Sequence, residues 1–182
     1  MNRPGLAAVL ALALAPVPAL AASASGAAYA EVVSPMAVRQ VADLDFGVIA
    51  ANGGSAGSVT VAPGGTGADY VGGAREACGS AARCPQPHFA RFEVSGEPNR
   101  SYTISAPSSI SVAGLPLGAG LAPVLLVDAI QLRSASRPNA GSAGRLGADG
   151  RDRFDLGGTL RVPAATPPAH FRLSVEVIVT YG

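Results

Sequence analysis

The stretch HFRLSVEVIVTYG (His170–Gly182), at the end of the chain, is the one that decides the fold. Its apolar side chains occupy every second position, and polar side chains fill most of the positions between them. Successive side chains of a β-strand point to opposite faces, so this alternation predicts a strand with one face on a core. Because the pattern continues to the penultimate residue, we expect the end of the chain to be a paired strand. The apolar row comprises Phe171, Leu173, Val175, Val177, Val179 and Tyr181.

The same two-residue period recurs upstream in short runs separated by turn residues, and no window carries a helical apolar stripe. Seven or eight strands without alternating helices favour an all-β, immunoglobulin-like β-sandwich, with a barrel as the alternative. A Gly157-Gly158 pair inside one run predicts a bulge or kink. The long segments Pro63–Pro87 and Ser134–Arg153 are predicted to be connections. Besides the terminal one, strands are predicted at Met36–Val41, Asp43–Ala50, Ser58–Ala62, Phe89–Ser95, Ser101–Ala106, Ile110–Val112, Val124–Arg133 and Phe154–Val162. The side chains expected to carry the fold are Leu44, Phe46, Phe92, Val94, Tyr102, Phe154, Leu160, Phe171, Val175, Val177 and Tyr181.

The N-terminus has the features of a cleaved secretory signal. Arg3 precedes the apolar run Leu6–Ala15, and a small-x-small cleavage site follows at Ala21, with Ala24 or Ala30 as alternatives. The run is about half the length of roughly twenty residues that a helical membrane span needs. We therefore expect a signal peptide over residues 1–21, a flexible leader over 22–35 and a single domain over 36–182. The protein would be exported to the periplasm or cell surface, with no membrane span after cleavage.

The charges of the chain are few and nearly balanced. Thirteen basic residues face twelve acidic ones, and they are scattered along the sequence. A protein that follows a phosphate backbone needs a basic patch or stripe, so this distribution argues against nucleic acid as a partner. Nothing in the composition points to a cofactor.

The two cysteines, Cys78 and Cys84, stand six positions apart. A redox motif usually spaces its thiols by two residues, and a zinc site needs more ligands than this region offers. In an oxidising compartment, a disulfide that closes a short loop is the favoured interpretation.

Motifs for catalysis or metal binding are weak. Gly53–Gly57 matches G-x-S-x-G around Ser55, and Asp155 and His170 follow in the order of a hydrolase triad, but a strand follows where that motif needs a helix. His88 and His170 lack neighbours at ligand spacing. The charged stretch Asp149–Asp155 departs from the calcium-loop pattern and carries two neutralising arginines. The sequence therefore favours a protein that is not an enzyme.

Several ordered segments resemble a bacterial secreted family of unknown function, DUF4402: LDFG (44–47), GSVTVAPGG (57–65), ARFEVSGEPNRSYTIS (90–105), RFDLGGTLRVPA (153–164) and FRLSVEVIVTYG (171–182). The resemblance covers nearly the whole mature chain, and the segment with the cysteines looks like a departure from it. The family looks related to fimbrial subunits, and DLDFG is similar to spore-coat-U-like pilins. This resemblance implies an exported immunoglobulin-like sandwich without defined catalytic residues. It also implies that a chaperone or a neighbouring subunit pairs with the terminal strand.

The leading hypothesis is an exported structural protein, a fimbrial-like subunit or surface module that acts by assembly or adhesion. Exposed sheet edges are templates for another strand, so Val175, Val177, Val179 and Tyr181 would line the interface with a copy of the chain or a periplasmic chaperone. Ala22–Pro35 could serve as a donor arm, but its apolar alternation is poor and a leader is favoured. The alternatives are a ligand-binding module that uses the two long connections and, more remotely, a serine hydrolase at Ser55.

Overall fold

The structure is a computed structural model that describes residues 30–32, 34–78 and 84–182. The chain divides into two units, Met1–Val32 and Val33–Gly182. The described residues of the first unit, 30–32, belong to no strand, and the predicted signal peptide lies outside the described residues, as does most of the leader. The described ranges contain no helix, and therefore none long and apolar enough to cross a membrane.

The described residues of the second unit are all-β, as predicted, and form thirteen strands. There are more strands than the seven or eight expected because the connections contain short strands and the terminal stretch is divided between two strands. In chain order they are β1 (Ala37–Ala42), β2 (Ile49–Ala51), β3 (Gly57–Val61), β4 (Asp69–Gly72), β5 (Ala74–Glu76), β6 (Ala90–Ser95), β7 (Ser101–Ser105), β8 (Ile110–Pro116), β9 (Val124–Ser134), β10 (Ala143–Arg145), β11 (Arg151–Val162), β12 (Ala169–Phe171) and β13 (Ile178–Tyr181).

The strands form two main sheets and a short ribbon. The large sheet runs β1-β6-β11-β9-β8-β12, and β3 pairs with the second half of β11 and with β4. The small sheet runs β10-β7-β13, and β2 pairs with β5. All the pairings are antiparallel. The long strand β11 is central, since it pairs with β6, β9 and β3.

The core consists of two apolar clusters. In cluster 1, Phe92 and Phe154 of the large sheet pack with Tyr102 of the small sheet, and the two phenyl rings stack at 4.9 Å. The two sheets therefore face each other across a sandwich. Cluster 2 is centred on Val59, Val127 and other side chains of the large sheet. Buried members of cluster 1 are Ala90, Phe92, Val94, Tyr102, Ile104, Leu146, Phe154 and Leu156; those of cluster 2 are Val59, Ala74, Val112, Leu125, Val127, Leu160 and Val162.

The predicted bulge in β11 is confirmed. The register between β11 and β9 shifts between Gly157 and Thr159, at the point where the other neighbour of β11 changes from β6 to β3. A Cβ on Gly157 would lie 2.2 Å from the carbonyl oxygen of Val61, so the backbones approach too closely for any side chain there. Glycine at this position lets one strand serve both halves of the sheet.

Four predicted assignments were wrong. Pro63–Pro87 is not a plain connection, because it contains the short strands β4 and β5, and Ser134–Arg153 contains β10 and the start of β11. In Asp43–Ala50, the prediction holds only from Ile49 onward, where β2 begins. The terminal stretch is likewise divided between β12 and β13 rather than forming one continuous strand.

Candidate assembly edge

The end of the chain crosses from one sheet to the other. β12 pairs with β8 of the large sheet, and β13 pairs with β7 of the small sheet. Residues 172–177, between these two strands, have no strand partner in the described parts of the chain, and no loop or side-chain hydrogen bond reaches them. We call residues 172–177 the open segment. The alternating burial of its side chains is that of an extended strand, and no ladder occupies it.

The side chains of this region keep the predicted alternation. Val175, Val177, Val179 and Tyr181 pack against cluster 1, whereas Phe171 and Leu173 pack against cluster 2. The structure therefore brings together the four residues predicted to line an interface. All six side chains are only half-buried, in contrast to core residues such as Phe154, which is fully buried. This apolar row is thus incompletely covered.

A second segment shares this character. Residues 43–48 also lie on the core without a continuous ladder: among the described residues, their strand-type contacts are the bridge between Asp45 and His88 and the hydrogen bond from Ala77 N–H to the carbonyl oxygen of Val48. Leu44 packs against cluster 1 and Phe46 against cluster 2. Gly47 turns the segment with a positive φ of 74°, and its N–H donates to the Asp45 carboxylate at 2.7 Å. Both segments therefore cross the same two clusters, and both leave backbone groups outside the sheets.

Tyr181 fastens the end of the chain. Its hydroxyl donates to the carbonyl oxygen of Ser34 and accepts from the N–H of Glu97, both at 2.7 Å. Ser34 N–H in turn donates to the Glu97 carboxylate at 3.0 Å, which lowers the pKa of that carboxyl group. The guanidinium of Arg100 stands over the Tyr181 ring at 5.6 Å. These contacts hold the terminus in place while the open segment before it stays unpaired.

Cys78 and Cys84 form the predicted disulfide, with Cα atoms 5.9 Å apart. Next to it, Ala77 N–H donates to the carbonyl oxygen of Val48, which extends the pairing of β2 with β5. The bond therefore closes a short loop beside that ribbon, and residues 79–83 within the loop lie outside the described residues.

The residues considered for catalysis are not brought together. Ser55 lies in the turn before β3, Asp155 binds the Arg91 guanidinium at 2.9 Å, and His170 lies in β12 opposite Leu115. In the order of the large sheet, β9 and β8 separate Asp155 from His170. The proposed triad order is therefore a coincidence of sequence.

The carboxylates considered for calcium each have their own partner. Asp149 accepts from the N–H of Arg151, and Asp152 accepts from Tyr102 and Ser136. The contact with Asp152, after burial, raises the pKa of the Tyr102 phenol. Within the described residues, no three His, Cys, Asp or Glu side chains are placed to hold a metal ion.

A shallow cavity of about 650 Å³ lies over β1, β6 and β11. Arg39, Glu93 and Arg153 form a cross-strand row along it, and Arg151 stands two residues from Arg153 on the same face. Glu93 binds Arg39 at 2.6 Å, whereas neither the Arg151 nor the Arg153 guanidinium has an ion-pair partner among the described residues. Asp152 also lines the cavity, so three arginines face two acids and the excess of positive charge is small. Sequence reasoning missed this row because it arises only from strand pairing.

Comparison with known proteins agrees with the sequence resemblance. No curated protein and no solved structure matches the chain. One family model matches residues 36–181, which is nearly the whole second unit and includes both the open segment and the segment 43–48. The chain therefore belongs to the family described as domain of unknown function DUF4402.

Proposed function

We propose that the protein is an exported, non-enzymatic structural subunit of the fimbrial type, whose sandwich is completed by an extended strand from another chain. The observation that carries the proposal is the open segment, which is extended and unpaired beneath a half-buried apolar row. An unpaired strand backbone is a template for β-strand addition, in which main-chain hydrogen bonds give affinity and alternate side chains give specificity.

The energetic argument favours an added strand. Each backbone N–H and C=O of the open segment that exchanges water for a strand partner contributes modestly, about 0.5–1.5 kcal/mol. Covering half-buried valines adds the larger, apolar contribution. Val175 and Val177 belong to the half-buried apolar row and lie within the open segment. A partner strand that pairs there therefore gains both the hydrogen-bond contribution and the apolar contribution. The partner would be a second copy of the chain or a periplasmic chaperone.

Native mass spectrometry of the mature protein, purified from a periplasm, tests this proposal. We expect a ladder of multimers, or a complex with one chaperone, that survives mild denaturant because exchanged strands are released slowly. A sharp monomer at every concentration would overturn the proposal and would mean that the sandwich is complete as it stands.

The cavity over β1, β6 and β11 favours a second candidate function, a ligand-binding module. Its volume falls within the range of small-molecule sites, and guanidinium groups bind carboxylates in a bidentate manner. Arg151 and Arg153 come from the end of the second long connection, as the binding hypothesis requires.

Calorimetric titration with polygalacturonate oligomers tests this second candidate. We expect saturable binding that weakens at least tenfold in Arg151→Ala/Arg153→Ala, about 1.4 kcal/mol or more. Arg137→Ala, outside the cavity, is the control and should bind like wild type. Equal affinities in all three proteins, or no heat of binding, would exclude the cavity as an acidic-glycan site.

A further inference from the structure

The β8–β9 hairpin ends in an apolar protrusion that the proposed assembly does not use. We call residues 115–126 the hairpin tip. Leu115, Leu117 and Leu121 are 74%, 61% and 92% exposed, and Val124 is 59% exposed. Every exposed leucine in the described residues lies in this tip, with Leu126 at 38%. Single exposed apolar residues are ordinary, but a contiguous group of this kind marks an interaction surface.

Strand register explains why these side chains point to solvent. The ladder between β8 and β9 reaches Ala113 and Val124, and Gly114 N–H donates to the carbonyl oxygen of Pro123 at 2.8 Å. Val112 and Leu125 lie on the inner face and are buried in cluster 2, so Val124 and Leu126 lie on the outer face. The exposure of the tip thus follows from the register of the hairpin rather than from displacement of core residues.

The tip and its surroundings are free of charge. The sequence from Ser101 to Val127 contains no Asp, Glu, Lys, Arg or His, and neither does the adjoining loop from Pro163 to Ala169. Leu117 N–H donates to the carbonyl oxygen of Pro168 at 3.1 Å, which holds these two uncharged loops together. An uncharged, exposed end of a sandwich is better suited to contact with a fluid apolar phase than to binding in a preformed pocket of a partner.

The ionisable groups that first appear beside the tip are basic. His170 lies opposite Leu115 in the ladder, and Arg172 follows two residues later on the same exposed face. In the neighbouring strand, the first acid after the tip, Asp128, is already bound to Arg161 at 3.0 Å. Basic groups flanking an apolar insertion complement anionic lipid headgroups. A tip-to-tip dimer would instead bring the two copies of Arg172 toward each other, where like charges are unfavourable.

We propose that the hairpin tip docks the protein on anionic lipid bilayers, with Leu117 and Leu121 entering the interfacial region and Arg172 lying among the headgroups. Insertion is shallow, because the loop backbone needs water or headgroups for its N–H and C=O groups. The hairpin tip itself lies outside the open segment, and only Arg172, the first residue of that segment, belongs to both surfaces, so docking does not require strand exchange.

The chain contains no tryptophan, so Leu121→Trp places a single tryptophan reporter at the most exposed leucine of the tip. We expect its emission to shift to the blue on adding vesicles of phosphatidylcholine and phosphatidylglycerol, with a smaller shift for phosphatidylcholine alone. A spectrum that keeps its aqueous position with both vesicles would overturn the proposal.

Vesicle cosedimentation of variants supplies the second measurement. Leu117→Ser/Leu121→Ser should bind about a hundredfold more weakly than wild type, since each buried leucine is worth about tenfold. Arg172→Gln should lose about fivefold and its dependence on phosphatidylglycerol. Val71→Ser, which alters a 63% exposed valine in β4, should bind like wild type. Equal vesicle binding by wild type and the double variant would refute docking by the tip. So would a wild-type protein that binds no vesicles but forms a dimer that the double substitution dissociates.

Discussion

Val177→Asp is expected to abolish the multimers proposed for the wild-type protein. Val177 lies in the open segment, half-buried against cluster 1, where an added strand would cover it completely. Burying an unpaired carboxylate costs several kcal/mol, and each 1.4 kcal/mol or so is tenfold in a dissociation constant. The dissociation constant of the assembly should therefore rise at least about a hundredfold, which native mass spectrometry would register as a loss of every species above the monomer.

Ile178→Asp is the matched control for this experiment. Ile178 is the next residue, it is aliphatic as well, and it is 55% exposed on the opposite face. It should keep the multimers, because its carboxylate remains in water. Thermal unfolding of both monomers separates assembly from folding. Multimers of unchanged abundance in Val177→Asp would contradict strand addition at the open segment.

Phe154→Ala is expected to cause the largest loss of stability in the domain. Its side chain is fully buried in the central strand β11 and stacks on Phe92 with an interplanar angle of 13°. Removal of a buried phenyl ring leaves a cavity and typically costs about 3–5 kcal/mol. For a domain of this size, that loss should lower the melting temperature by roughly 10 °C or more. Chemical denaturation followed by circular dichroism would give the free energy of unfolding directly.

Phe89→Ala provides the comparison. Phe89 precedes β6, is half-buried, and contacts the Arg91 guanidinium at 5.0 Å. Because Phe89 is not enclosed by other side chains, its replacement should lower the free energy of unfolding by about 1 kcal/mol. Most of this loss comes from the cation–π and surface contacts. Similar losses in the two variants would mean that cluster 1 is not the dominant core.

The sequence predicted the strands in which apolar and polar residues alternate clearly along the strand itself. β6 and β9 lie within one residue of their predicted positions, and the bulge beside Gly157 was recognised from its glycines. Alternation arises from side chains facing core or water, and that information is carried by each strand itself. The short strands β4 and β5 were missed because few of their positions face the core.

The candidate site was only half predictable. Alternation in the last stretch identified Val175 and Val177 as inward-facing, which the structure shows. It could not reveal that residues 172–177 lack a ladder, because strand pairing depends on segments distant in sequence. The exposed leucines of the hairpin tip were equally hidden. Leu121 and the buried Leu125 look alike in sequence, and only the register of the hairpin separates them.

The late position of β11 sets the order in which the domain is able to form. All three of its neighbours, β3, β6 and β9, precede it in the chain, and Gly158 pairs with Val61 across nearly a hundred residues. Such long-range pairing delays folding until the last strands are available. Until β11 has been synthesised, β3, β6 and β9 lack the central strand with which they pair. Such a chain stays unfolded until it is almost complete, which would suit the proposed export through a narrow channel, with the sandwich closing after passage.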